Sequence, residues 1–332
     1  MSAEKIIGDW KKKNFKPVYW LEGEEPYFID KVMNYAEHNI LSETEANFNL
    51  TIFYGRDADA VTVVNVCRQY PMIGEKQVVL IKEAQHMRDI LKLESYVENP
   101  MASTVLVISY KDKKVDARTK FAKALKEYGE IFSTKKLYDN QLPEWVNQLL
   151  QQKGLSITQK ALLLLVDHIG NDLSRLENEI DKLIVSVAGR KQITEQDIET
   201  YVGVSKEFNV FELQDAVAKK NLPKAIRIVQ YFEANPKAAS IQALLPSLYS
   251  FFSKVAMIFG AGSNDEKMIA STISVHPYFV KDYLAAAKIY NYTGTEKVLL
   301  LLHQYNLRSI GIHDTGTEDG SLMKELLVKM LN

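Results

Sequence analysis

A protein metal site draws on histidine, cysteine and carboxylate side chains at short, regular spacings. This 332-residue chain has six histidines and a single cysteine, Cys67. The histidines stand at 38, 86, 168, 276, 303 and 313, with no H-E-x-x-H pair and no other paired-ligand spacing. A lone histidine on a helical stretch, such as His168, reads as structural. Cys67 sits inside an apolar helical pattern and reads as a buried thiol rather than a nucleophile. One thiol forms no internal disulfide, which fits a reducing cytoplasm. Asp314-Thr315-Gly316 spells the aspartic-protease tripeptide, but that chemistry needs two such carboxylates sharing a proton. A single copy in a Gly/Asp/Thr-rich connection reads as a mobile loop. Gly260-Ala261-Gly262 follows a helical stretch, lacks the third glycine of a dinucleotide fingerprint, and reads as a linker.

Phosphate chemistry is the remaining enzymatic option. The β-rich run Val18-Tyr19-Trp20-Leu21 leads into Glu22-Gly23-Glu24-Glu25-Pro26-Tyr27. A P-loop in that place reads G-x-x-x-x-G-K-[ST], because backbone N–H groups and a lysine cradle the phosphates. Here one glycine stands among three carboxylates, which would repel a triphosphate. A second run, Val78-Val79-Leu80-Ile81-Lys82-Glu83, has the shape of a Walker B strand. Lys82 occupies the place of its Mg²⁺-holding Asp. Two separate losses indicate a degenerate P-loop-like domain that does not hydrolyse ATP. No catalytic residue, cofactor or metal is expected.

These positions presuppose elements that carry them. In the first 140 residues, short β-rich runs (Val18 to Leu21, Phe48 to Phe53, Gln77 to Ile81, Thr104 to Ile108, Glu130 to Phe132) alternate with stretches of helical spacing. The helical stretches hold Ile29 to Ile40, Asp59 to Tyr70, His86 to Glu98 and Asp116 to Glu127. Strands apolar on both faces, alternating with helices, predict a parallel sheet covered on both sides. After Asn140 the strand signal disappears. Asn140 and Thr158 are candidate helix caps, Leu173 to Val187 forms an amphipathic stretch, and Thr194 to Asp197 reads as a capping box with Asp in place of Glu. From Phe208 five or six further helices follow, broken at Pro223, Asn235-Pro236, Gly260 to Asn264, Pro277 and Gly311 to Gly320. The expected organisation is an α/β domain over 1–139, a small helical domain over 140–207 and a helical bundle over 208–332.

Composition supports a globular chain: 46% hydrophobic and 25% charged, with a net charge of −1. No global field draws it to nucleic acid or membrane, so any such contact must be local. The stretch Gln242 to Gly262 resembles a membrane span, but Pro246, Lys254 and its serines favour a buried bundle helix. The N-terminus runs straight into a charged amphipathic stretch with no apolar signal region.

Two features suggest binding. Tyr70-Pro71-Met72-Ile73-Gly74 sets large apolar residues in a short turn between a helix and a strand. From the residues alone, packing of Met72 or Ile73 back on the helix end is favoured over a plug offered to a partner. Second, residues 111–126 hold seven basic residues and two acidic ones, a local net of +5. A solvated helix face and a salt-sensitive contact with a nucleic-acid backbone fit this stretch equally.

Taken in order along the chain, these segments resemble the delta subunit of bacterial DNA polymerase III, the clamp-loader subunit that opens the sliding clamp. Pro17 to Glu25 is similar to that family's opening strand and degenerate phosphate loop. Tyr70 to Gln77 with the following strand resembles its clamp-contacting segment. Thr104 to Ile108 with Lys114, Asp116, Arg118, Lys120 and Lys123 resembles its strand and basic helix. Asp172 to Leu183 is similar to its second-domain signature, Asn209 to Ala216 to the start of its collar, and His276 to Val280 also fits. Met72-Ile73 stands where the best-known members carry Leu-Phe.

The resemblance implies an AAA+-like α/β domain without a nucleotide site, a helical lid and a C-terminal collar. It implies a cytoplasmic, non-catalytic subunit. Its partners would be the beta sliding clamp, the gamma/tau and delta prime subunits, and primer–template DNA in the complex. Gln69, Tyr70, Met72 and Ile73 become the expected clamp contacts, and Lys113, Lys114, Arg118 and Lys120 the candidate DNA contacts. Two rival readings are a divergent nucleotide enzyme with a different phosphate site and an unrelated scaffold of the same layout.

Overall fold

Long β-branched and aromatic runs with no polar break pack best where both faces of a sheet are covered. The computed structural model describes residues 2–332 apart from 188, 206, 237, 262–264, 276 and 315. It forms two compact units, residues 1–137 and 138–332.

The first unit opens with α1 (Ala3–Lys11), then β1 (Val18–Gly23), α2 (Pro26–Asn39), α3 (Glu43–Asn49), β2 (Leu50–Tyr54), α4 (Ala60–Cys67) and β3 (Gln77–Lys82). Two short 3₁₀ turns lead to α5 (Glu94–Val97), and β4 (Thr104–Lys111), α6 (Lys120–Tyr128) and β5 (Glu130–Thr134) complete it. The five strands are all parallel, in the order β2-β3-β4-β1-β5. Alternate residues feed opposite layers. Trp20, Val79, Ile81, Leu106 and Ile108 pack under α4, α5 and α6. Tyr19, Leu21, Val78, Leu80, Val105 and Val107 pack under α1 and α2. A one-residue slip would exchange these two sets, so the register is fixed by side-chain volume on both faces.

The elements differ from expectation in places. Phe48 belongs to a helix, not a strand: Ser42 and Glu45 close a capping box that nucleates α3. The helix expected over Asp59 to Tyr70 stops at Cys67, where the last carbonyls are taken by the Gln77 and Thr104 side chains instead of by a further helical turn. The helix expected over His86 to Glu98 is broken into 3₁₀ turns and the single turn of α5. The basic helix begins at Lys120, capped by Thr119, rather than at Asp116.

The second unit contains α7 (Leu142–Gln152), β6 (Ser156–Ile157), α8 (Gln159–Ile169), α9 (Leu173–Ser186), β7 (Gln192–Ile193) and α10 (Glu195–Asp197), followed by a π-helical turn to Val202. Among the described residues six further helices come next: α11 (Val210–Ala218), α12 (Leu222–Ala234), α13 (Ile241–Gly260), α14 (Glu266–Thr272), α15 (Val280–Ser309) and α16 (Asp319–Leu331). Thr158 caps α8 as expected. Asn140 does not cap α7, because a 3₁₀ turn through Gln141 precedes it. The small parallel pair β6–β7 was not legible in the sequence.

Helix α13 is long and apolar enough to cross a membrane. Its face of Ile241, Leu244, Leu245, Leu248, Phe251, Phe252 and Val255 lies in the helical core. Asp314 is tied down rather than loose: it accepts hydrogen bonds from Gly316 N, Thr317 N and Arg308 Nε. His276, Gly262 and Thr315, named in the sequence reading, lie outside the described residues.

Candidate functional site

The turn between α4 and β3 is built from the sheet outward. Tyr70 is 79% exposed, Met72 75% and Ile73 37%. Gln69 is exposed as well. Beneath them the backbone is held by buried polar groups. Asn49 Oδ1 accepts from Met72 N at 2.8 Å, and Asn49 Nδ2 donates to the carbonyls of Ile73 and Lys76. Gln77 Nε2 donates to Gln69 O at 2.6 Å and to Thr104 Oγ1 at 2.7 Å, and that hydroxyl donates to Cys67 O at 2.8 Å. Cys67 itself is buried, and desolvation pushes its thiol up to about 12, so it is no nucleophile at neutral pH. Gly74 turns the chain at φ +70, where a Cβ would come 2.3 Å from Glu45 Oε1. Apolar side chains thus stand on a tethered backbone.

This turn precedes β3, so it sits at the N-terminal edge of the parallel sheet. The phosphate-loop position follows β1, at the C-terminal edge. There, protein groups occupy the space. Glu25 Oε1 accepts from Tyr27 N at the start of α2, where a helix would otherwise offer its N–H groups to an anion. Glu22 is buried and accepts from Trp20 Nε1, Val115 N and Ser133 Oγ at 2.8–2.9 Å. A Cβ on Gly23 would lie 2.2 Å from Thr134 O, so this glycine serves the close approach of β5. Lys82, in the Walker B place, pairs with Glu37 at 2.7 Å.

The basic stretch leaves the same C-terminal edge after β4. Lys113, Lys114, Lys120, Lys123 and Lys126 are exposed. Two of its cations are already engaged: Lys111 with Asp30, and Arg118 with Asp116 at 2.8 Å. Among the described residues no group of three His, Cys, Asp or Glu side chains could hold a metal.

Comparison with known proteins fits this geometry. The family model described as DNA polymerase III, delta subunit matches residues 19–135, and the model for that subunit's C-terminal domain matches residues 207–329. This chain belongs to the DNA polymerase III delta subunit family. A DNA polymerase III subunit delta from Bacillus subtilis is 25% identical, with 97% of this chain and 94% of the relative aligned. A probable DNA polymerase III subunit delta from Aquifex aeolicus is 25% identical over 64% of this chain and 62% of its own length. The solved Bacillus subtilis DNA clamp loader delta protein shares the fold, with a TM-score of 0.54, 23% identity and 99% of each chain covered.

Within this delta-subunit chain, the first matched region holds the exposed turn, the rebuilt phosphate corner and the basic stretch. Gln69, Tyr70, Met72 and Ile73, the expected clamp contacts, lie together and exposed on one turn. Lys113, Lys114, Arg118 and Lys120 lie on one segment leaving the other edge of the sheet. What sequence reasoning missed is the support: Asn49 and Gln77 were passed over because their partners are backbone groups far along the chain.

Proposed function

We propose that this chain is a non-catalytic, cytoplasmic clamp-loader subunit that binds the beta sliding clamp and helps to open it. Gamma/tau and delta prime subunits and primer–template DNA are its partners in the DNA polymerase III complex. The proposal divides the helical unit at residue 207 into a lid and a collar, the collar joining the partner subunits. The observation that carries the reading is the exposure of Tyr70, Met72 and Ile73 on a tethered turn in a chain of this family. Glu25 at the head of α2 and Lys82 at the end of β3 support the absence of a catalytic site, so ATP is used by partner subunits.

The mechanism is a shift of populations. A ring clamp that opens rarely is biased toward its open form by a protein that binds that form better, by the difference in affinity alone. Met72 has most of its side chain still to bury and Ile73 about a third of its surface. Together they supply roughly 2–4 kcal/mol on entering an apolar pocket. Tyr70, two residues earlier, offers the aromatic surface that the Met-Ile pair lacks, and Tyr is favoured at interface anchors. Replacing both Met72→Ala and Ile73→Ala should weaken clamp binding about a hundredfold, each tenfold being 1.4 kcal/mol. Surface-binding measurements on immobilised clamp check this, and unchanged affinity would remove the plug from the proposal.

A further inference from the structure

A buried amide is tolerated when its hydrogen-bonding capacity is met. Asn49 is 4% exposed and stands where α3 passes into β2 without a loop. Its side chain is spent on one segment: Met72 N–H, Ile73 C=O and Lys76 C=O. Leu50 pairs with Val78, and Asn49, the last residue of α3, and Gln77, the first of β3, each stand one step before that pair. Gln77 takes the other end of the same turn through Gln69 C=O. The two amides therefore fix the backbone at 69, 72, 73 and 76, while Tyr70 and Met72 point to solvent. An apolar residue at 49 would leave three backbone groups without these partners.

We propose that Asn49, supported by Gln77, is a positioning residue that presets the clamp-contacting turn before the clamp arrives. A turn already in its bound shape loses little freedom on binding, so its apolar contacts appear in affinity nearly undiminished. This inference rests on the reading of Met72 and Ile73 as clamp contacts, and its test separates the two.

The full-length chain is measured against immobilised clamp as Asn49→Ala, as Gly74→Ala and as the Met72→Ala, Ile73→Ala double variant. Amide hydrogen exchange at position 72 is followed in the free protein. Asn49→Ala should weaken binding about tenfold or more through lost preorganisation. Exchange at the Met72 amide should accelerate about tenfold or more, since opening of the turn no longer breaks that bond. The double variant should lose affinity yet keep the amide at 72 protected, whereas a merely structural role for Asn49 would speed exchange in Asn49→Ala without weakening binding. Should Asn49→Ala fail to fold, Gly74→Ala decides. It strains the turn at φ +70 without entering the core, and the same loss of affinity is expected. Full affinity in Asn49→Ala or Gly74→Ala, beside a weakened double variant, overturns the positioning role alone. Full affinity in the double variant overturns the plug, and the positioning role with it.

Discussion

Glu22, Glu25 and Lys82 carry the proposal that the α/β unit binds no triphosphate. A triphosphate needs open N–H groups at the head of the helix that follows the first strand and a carboxylate on the third strand to hold Mg²⁺. Here Glu25 fills the helix head, buried Glu22 adds negative charge at the same corner, and the third strand ends in a lysine paired with Glu37. Calorimetric titration of the purified chain with Mg-ATP should therefore show no micromolar binding; a clear micromolar isotherm would contradict this assignment. That Glu22-Gly23-Glu24-Glu25 lacks the glycines and lysine of a phosphate cradle is legible in its residue types. The use of those carboxylates is not. That Glu22 accepts from Val115 and Ser133, more than 90 positions away, depends on tertiary placement. The same holds for Met72. Composition cannot tell an apolar residue packed on a helix end from one presented to a partner, and the residues alone favoured packing.

At the scale of elements, strand existence followed from continuous apolar runs, and all five expected strands are present within a few residues. The failures came where local signals compete. Phe48 has high β propensity but falls inside a helix whose start is fixed by Ser42 and Glu45. Helix α15 changes direction at Asn291, which adopts φ +51 and re-caps the chain by accepting from Gly294 N at 3.0 Å. With ψ at −176 the residue lies outside the left-handed helical basin that asparagine favours, so its residue type does not mark the break. The end of α15 is joined to α16 by charge. Arg308 reaches Asp314 at 2.8 Å and Glu325 at 2.9 Å. Hydrogen bonds from Thr317, then Arg308, hold the Asp314 carboxyl down to about 2. Lys329 and Arg308 hold Glu325 at about 2. Both carboxyls are depressed in the folded state, so their contribution is present above the ordinary carboxylate range of about 4 and fades as pH falls toward 2. The helical unit should accordingly lose urea resistance between about pH 4 and pH 2, and Arg308→Met should flatten that loss. Urea midpoints followed by circular dichroism across this interval check it; an equal slope in the variant would detach the effect from this cluster.

On the scale of the whole α/β unit, one sheet separates two surfaces of different character. The apolar turn lies at the N-terminal edge, and the basic stretch leaves the C-terminal edge. Strands of about six residues put these edges about 20 Å apart. A single body can thus meet an apolar pocket at one end and a phosphate backbone at the other without either contact obstructing its neighbour. With a net charge of −1, any attraction to DNA would have to come from a local cluster such as this one. Its members are not equivalent. Lys113, Lys114 and Lys120 extend into solvent, whereas the Arg118 guanidinium is bidentate on Asp116 and must surrender that partner to reach a phosphate. Each lysine that displaces condensed counterions contributes about 0.9 to the slope of log affinity against log salt. In the assembled loader, replacing Lys113, Lys114 and Lys120 with Ala should lower the slope for primed DNA by about 2.5, with little sequence dependence. Arg118→Ala should change it by less than about 1, because the cation is already neutralised. Fluorescence anisotropy over a salt series gives both numbers. A slope unchanged by the triple substitution would assign this stretch to solvation of the helix face alone, and a larger effect from Arg118 would mean that DNA breaks its pair with Asp116.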